Sequence, residues 1–239
     1  MFVFEIKWKD CEATRRSVLS TIAGIFDPIG LIAPYVLTAK AILQGLCRKG
    51  MGWDTPLTGS DLAAWEEWKL RMSKVSVLKF PRWVLPEIVD EWESLQLHLF
   101  ADASETGYGA AAYVRYTHRT KGPMVNLLTA KARVAPLKTV SIPRLELSAA
   151  VLAVRLYRHV MAEFHSKFER VIFWTDSMIV IKYLNNTTSR FSTYVANRVQ
   201  EIIENSRPDQ WRHVPSSDNL ADLASRGMPK NSIEYELWM

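Results

Sequence analysis

The sequence predicts an α/β protein: a mixed five-stranded sheet with helices on its faces, preceded by a small, mainly helical region. Three observations carry this. From residue 95 onward, strand-length apolar runs alternate with runs of helical spacing in the order β-β-β-α-β-α-α-β-α. Before residue 80 helical spacing dominates, and Pro81 and Pro86 then interrupt the chain. Four isolated acids, Asp102, Glu146, Asp176 and Asp222, fall at strand ends or within helices, among apolar or small neighbours. With 239 residues, 48% hydrophobic and 23% charged, the chain is long enough for a sizeable core in one or two domains.

The elements follow in order. MFVFEIKWKD looks like a strand cut out of something longer. Thr14 is the expected N-cap of a helix that carries Val18, Ile22 and Ile25 on one face, with Leu19 and Phe26 beside them, and that ends at Asp27-Pro28 and Gly30. A second helix is expected over 35–48, stopping at Gly50. A third follows Ser60, with Leu62, Trp65 and Leu70 at helical spacing. This divides the chain into a helical region at 1–80, a connector at 81–94, a sheet domain at 95–228 and a tail at 229–239.

Within the sheet domain, LQLHLFAD, YGAAAYVRY and MVNLLTAKARV form an expected meander, with turns around Glu105-Thr106-Gly107 and Thr120-Lys121-Gly122. A long helix opened by Pro143 carries Leu145, Ala149, Leu152, Leu156 and Val160 on one face. Strand RVIFWTD, helices SMIVIKYLN and FSTYVANRVQEIIEN, strand WRHVP and helix NLADLASR complete it, the last begun by Asp218 or Asn219 and capped by Gly227.

The acids carry the chemistry. A carboxylate at the end of a buried element is costly unless its charge is offset. Asp102 and Asp176 each end an apolar strand, Glu146 is expected in the first turn of its helix, and Asp222 lies in the last helix. One such residue is usually a cap; four suggest a common metal site. Hydrolysing a phosphodiester needs an activated water, stabilised phosphoryl charge and a stabilised leaving alkoxide, which two divalent ions roughly 3.5–4 Å apart supply. Mg²⁺ favours oxygen ligands and retains several waters, so a few carboxylates suffice.

Charge points the same way. The formal net charge is +5, and residues 1–95 balance 12 bases against 12 acids, so the excess of 18 bases over 13 acids lies wholly in the remainder. That favours a polyanion such as nucleic acid. Cys11 and Cys47 are too few for a disulfide framework and too far apart for a zinc motif, so a reducing intracellular setting is expected. No apolar run reaches the roughly 18 residues that span a bilayer, and no membrane partner is expected.

With these residues in place, the chain resembles the ribonuclease H fold over roughly 95–228. TRRSVLSTIAGIFDPIGLIAPYVLTAKAILQGL, GWDTPL, FPRWV, IPRLELSAAVLA, FWTDS and HVPSSDNLADLASRG resemble BEL/Pao-type LTR retrotransposon polyproteins. The resemblance implies a reverse-transcriptase thumb and connection remnant at 1–80. It implies an endonuclease that hydrolyses the RNA strand of RNA–DNA hybrids during reverse transcription. No YxDD-like motif occurs, so polymerase activity is not expected. Carried over by position, Asp102 would bridge two Mg²⁺ ions (Mn²⁺ as a substitute), Glu146 and Asp176 would complete the water-activating site, and Asp222 would hold the second ion. Ser217 stands where many ribonucleases H carry a loop His, and His213 reads as structural. The implied partners are the hybrid and the rest of a retroelement polyprotein: fingers, palm and integrase. The cytoplasm is the implied setting, with a virus-like particle or the nucleus as alternatives.

Hybrid contact is expected from Ser104 and Thr106 near the first strand's end, and from Lys131, Arg133, Lys138, Arg144, Asn185 and Arg190, with Asn186 beside them. Trp174, next to Asp176, reads as packing. The alternative is a catalytically silent domesticated fragment that binds nucleic acid or protein. An integrase-type enzyme is disfavoured, because here the Glu comes second in order and the late helix carries Asp222.

Overall fold

The computed structural model describes Phe4, residues 11–75, 92–119, 122–164, 167–188 and 190–228, and Trp238. The turn at Thr120-Lys121, most of the connector and most of the tail lie outside the described residues, as does the strand expected before residue 10 apart from Phe4.

Three helices come first: α1 (Arg15–Ala23), α2 (Ala33–Arg48) and α3 (Gly59–Val75). Thr14 caps α1 through a reciprocal box with Ser17, as its sequence position suggested. The helix is shorter than expected and ends at Gly24. The reason is Asp27, whose carboxylate accepts from the amides of Leu31 (2.9 Å) and Ile32 (3.0 Å) and so organises the turn into α2. Val18 and Ile22 are buried on the expected face of α1, with Leu19 and Phe26 beside them exposed; on α3 Trp65 is buried together with Trp68, Met72 and Val75, while Leu70 is exposed.

The sheet follows: β1 (Trp92–Ala103), β2 (Gly107–His118), β3 (Gly122–Val134), β4 (Arg170–Thr175) and β5 (Trp211–His213). Their spatial order is β3-β2-β1-β4-β5. The β1–β2–β3 meander is antiparallel, while β1, β4 and β5 run parallel. The parallel strands therefore all end on one side, which brings the ends of β1 and β4 together. Strand β1 begins at Trp92, inside the stretch read as connector.

Helices α4 (Ile142–Glu163), α5 (Met178–Leu184), α6 (Thr193–Asn205) and α7 (Asp222–Arg226) complete the fold. The predicted α4 face, Leu145, Ala149, Leu152, Leu156 and Val160, is buried against Leu95, Leu97, Leu99 and Ala101 of β1. Helix α7 is shorter than expected. A 3₁₀ turn at Ser216–Asp218 precedes it, so Asp222 opens the helix.

The other sheet face is also covered. Ala111, Tyr113, Leu127 and Ala130 share a second core with α1–α3, Ala224 and Trp238. Polar bonds lock it: Trp238 Nε1 donates to the Leu31 carbonyl (2.8 Å), and Tyr113 Oη donates to the Trp238 carbonyl (3.0 Å). At the sheet edge the Ile29 carbonyl accepts from the Ala130 amide (2.8 Å) and from Thr129 Oγ1 (2.9 Å). Gly30 makes that approach possible: its φ is 77°, and a Cβ there would stand 1.9 Å from the Ala130 carbonyl oxygen.

Gly30→Ala is therefore expected to destabilise the whole protein by more than about 2 kcal/mol, seen as a lower denaturation midpoint with an unchanged slope. A loss confined to helical signal, with the sheet unaffected, would show that the two cores unfold separately.

Candidate active site

The site is built where β1 and β4 end and α4 begins. Alternation along β1 sends Leu97, Leu99 and Ala101 into the α4 core, and so sends Asp102 to the other face, where it is 1% exposed. Asp176 follows the last residue of β4. Glu146 is the fifth residue of α4, in its second turn rather than its first, and is buried. Oxygens of Asp102, Glu146 and Asp176 lie within 4.8 Å of one another.

Asp222 stands beside this set rather than in it. Its Oδ1 accepts from Arg226 Nε at 2.5 Å, one helical turn away. Its charge nevertheless reaches Asp102.

Neighbours that the acid pattern did not single out fix Asp102. Asn219 Nδ2 donates to Asp102 Oδ1 (3.2 Å) and to the Ala101 carbonyl (3.0 Å), and Ser225 Oγ donates to Asp102 Oδ2. Asn219 is 4% exposed and Ser225 fully buried. Both sit three residues from Asp222, in NLADLAS, a spacing that is visible but shows no target. Gly109, opposite Asp102 on β2, lets α7 come this near: a Cβ there would lie 2.4 Å from that of Ala224. Ser216 donates to Asp176 Oδ2 at 2.6 Å from the 3₁₀ turn, while neighbouring Ser217 donates to Asp218 (3.1 Å).

Burial dominates the electrostatics. It pushes the Asp102 carboxyl up to about 7, helped by the charges of Asp176 and Asp222 and opposed by the Ser225 bond and Arg226. Glu146 is pushed up to about 8, by burial first and then by Asp102 and Asp176, against a hydrogen bond from the Ala103 amide. Glu146 Oε2 and Asp176 Oδ1 are buried without a hydrogen-bond partner. Crowded oxygens, two of them orphaned, fit a hard divalent cation, which prefers oxygen and offsets their repulsion.

Asp176 is not spent as a helix cap: Ser177 caps α5, accepting from the Val180 amide. Trp174 packs, as expected: its Nε1 donates to His98 Nδ1 (3.0 Å) and its ring stacks near Phe100. That bond leaves the His98 proton on Nε2, and burial, with Arg115 and Arg212, pushes the ring down to about 4.

The residues expected to touch nucleic acid are dispersed. Contrary to expectation Ser104 is buried, its hydroxyl donating to the Ser225 carbonyl (2.8 Å) and accepting from the Thr106 amide (3.1 Å). It ties β1 to α7 instead of facing outward. Thr106 is exposed at the same turn. Lys131 and Arg133 are exposed on β3, and Lys138 in the loop before α4. Arg144 is exposed in the first turn of α4, its guanidinium 5.1 Å from the Tyr194 ring centre. Asn185 caps α5 and donates back to the Ile181 carbonyl (2.9 Å), with Asn186 next to it; Arg190 is exposed. His213 is exposed on β5.

A mixed sheet in this order, with acids converging from β1, α4 and β4, defines a ribonuclease H-like protein. The chain belongs to the Pao retrotransposon-like RNaseH-like domain family, whose model matches residues 14–177. That span takes in α1–α3 as well as the sheet through Asp176. Among solved structures, ribonuclease H1 of the halophilic archaeon Halobacterium salinarum is 16% identical, over 53% of this chain and 89% of that one, at a TM-score of 0.31. A compost-derived ribonuclease H1 in complex with an RNA/DNA hybrid is 12% identical over 53% and 88%, at 0.28. Prototype foamy virus protease-reverse transcriptase is 13% identical over 77% and 27%, at 0.32. No curated protein matches.

The raised carboxyl pKa values give a stability prediction. Between the unfolded value near 4 and the folded values near 7 and 8, the folded state holds more protons, so metal-free stability falls as pH rises. A loss on the order of a few kcal/mol is expected from pH 5 to 8. Chemical denaturation in EDTA should show it, and Asp102→Asn or added Mg²⁺ should reduce it; a flat profile would contradict the burial argument.

Proposed function

We propose that this chain is a divalent-metal-dependent endonuclease that hydrolyses the RNA strand of RNA–DNA hybrids during retrotransposon reverse transcription. The observation that carries the reading is the meeting of Asp102, Glu146 and Asp176 from three elements, with two buried oxygens left unpartnered. A structural set of acids has no physical need of that arrangement, which costs stability above neutral pH.

Asp102, Glu146 and Asp176 would hold the metal, Mg²⁺ by the chemistry of the donors, with Asp222 adding charge from α7. Bound there, divalent metal supplies an activated water and neutralises phosphoryl and leaving-group charge. Asn219 and Ser225 fix both oxygens of Asp102, so its orientation is set before any ligand arrives. Ser216 holds one oxygen of Asp176 and leaves the other directed inward. Arg226 restrains Asp222. Hybrid specificity would come from the 2′-hydroxyls of the wide minor groove, approached from the Thr106 turn and the α4 N-terminus.

Helices α1–α3 are proposed to derive from the thumb and connection of a reverse transcriptase, with 81–94 as connector and 95–228 as the nuclease domain. The hybrid and the remaining polyprotein segments are the proposed partners, within the cell.

Cleavage of a labelled hybrid should require Mg²⁺ and stop in EDTA. Asp102→Asn, Glu146→Gln and Asp176→Asn should each lower the rate by about 10³-fold or more. Asp222→Asn should cost less, because Asp222 lies outside the converging set. A folded protein that binds hybrid but never cuts it, with any divalent metal, would replace this reading with the silent binding module.

A further inference from the structure

A second feature lies on the opposite bank of α4. Between α4, α6 and the β2–β3 edge runs an open groove of about 290 Å³, lined by Arg133, Arg155, Arg198, Ser148, Asn197 and Glu201 among others. Its cations are held in place. Arg198 lies 3.5 Å over the Tyr194 ring and donates to the Tyr194 carbonyl (3.1 Å). Arg155 pairs with Glu201 through two bonds of 2.6 and 2.9 Å. Glu201 is held below the usual carboxylate range, by the Arg155 bond first and by the charges of Arg155, Arg158 and Arg198. Three arginines thus bear on one carboxylate, and in the groove itself Arg133, Arg155 and Arg198 outnumber Glu201, so the groove stays positive.

One stripe of α4 carries a cation at each end. Arg144, Ser148, Val151 and Arg155 follow a spacing of four, three and four residues, one stripe of α4. From Arg144 to Arg155 that stripe covers about 16 Å at the helical rise. It begins two residues from Glu146. Tyr194 joins its start to α6 through a hydrogen bond between its hydroxyl and Ser148 Oγ at 3.1 Å.

We propose that this groove binds the sugar–phosphate backbone of nucleic acid running away from the acidic site, as an anchoring surface distinct from the cleavage site. The inference rests on the nuclease reading for the identity of the ligand. A guanidinium matches a phosphate through its planar fork, and ring stacking holds it ready without further loss of side-chain freedom. Several such groups along one groove, Arg133, Arg155 and Arg198, suit a repeating anion. The groove is mainly polar, which does not suit an acidic peptide that must also seat apolar side chains.

The test uses the full chain and a 30-base-pair RNA–DNA hybrid in EDTA, so that binding is read without cleavage. Arg133→Glu and Arg198→Glu should each weaken binding several-fold and lower the slope of log affinity against log salt by about 1. Glu201→Gln, which unties Arg155, should tighten binding. Unfolding midpoints near that of the parent protein show that the variants fold, and Arg133, exposed on its strand, is the safer of the two. The losses should shrink on an 8-base-pair hybrid too short to reach the groove. Unchanged affinity and slope in both arginine variants would overturn the proposal, whether or not the chain cuts hybrid. Weakened binding in a chain that never cuts would uphold the groove and sink only the nuclease reading.

Discussion

Asp102 is the constraint around which the rest is arranged. A carboxylate at the buried end of a central strand needs donors or a cation, and this chain supplies two donors, Asn219 just before α7 and Ser225 within it. That requires α7 to lie against β2, which Gly109 allows, and requires the second sheet face to be packed so that α7 is pressed down. Ser104 returns a bond to Ser225, closing the loop between strand end and helix. The acid, the glycine opposite it and the small polar residues of α7 are one structural unit.

The sheet is a shared wall. One face carries α4 and, through it, Glu146; the other carries α7 together with α1–α3 and Trp238. Because the converging acids draw on both faces, the N-terminal helices support the site although none reaches it. The family match likewise starts at residue 14, just before α1, and not at β1. Ala111, Tyr113 and Ala130 of the sheet are buried in the core they share with those helices.

Charge is separated over the molecule in the same economical way. Acids are gathered at the ends of β1 and β4, and bases line the outer side of α4 and α6. A polyanion would be drawn to the second and held close to the first only when cations neutralise the acids. The proposed cleavage site and the proposed groove share α4, and Arg144 and Glu146 stand two residues apart on it.

Much of this was legible in the chain because it is local. Alternation fixed β1–β3, Pro143 and the apolar stripe fixed α4, and Thr14 fixed the start of α1. The acids were conspicuous since charge amid apolar neighbours is costly wherever it occurs. Leu19, Phe26 and Leu70 misled for the opposite reason: periodicity shows that a helix has an apolar side, but not how much of it a neighbour covers. Tertiary structure alone decided that Ser104 turns inward, that Asn219 and Ser225 serve Asp102, and that Asp222 pairs with Arg226 beside the converging three. Those contacts join residues more than a hundred positions apart, or choose among equally spaced neighbours. Short-range pattern cannot encode such a choice; the packing of α7 on Gly109 makes it.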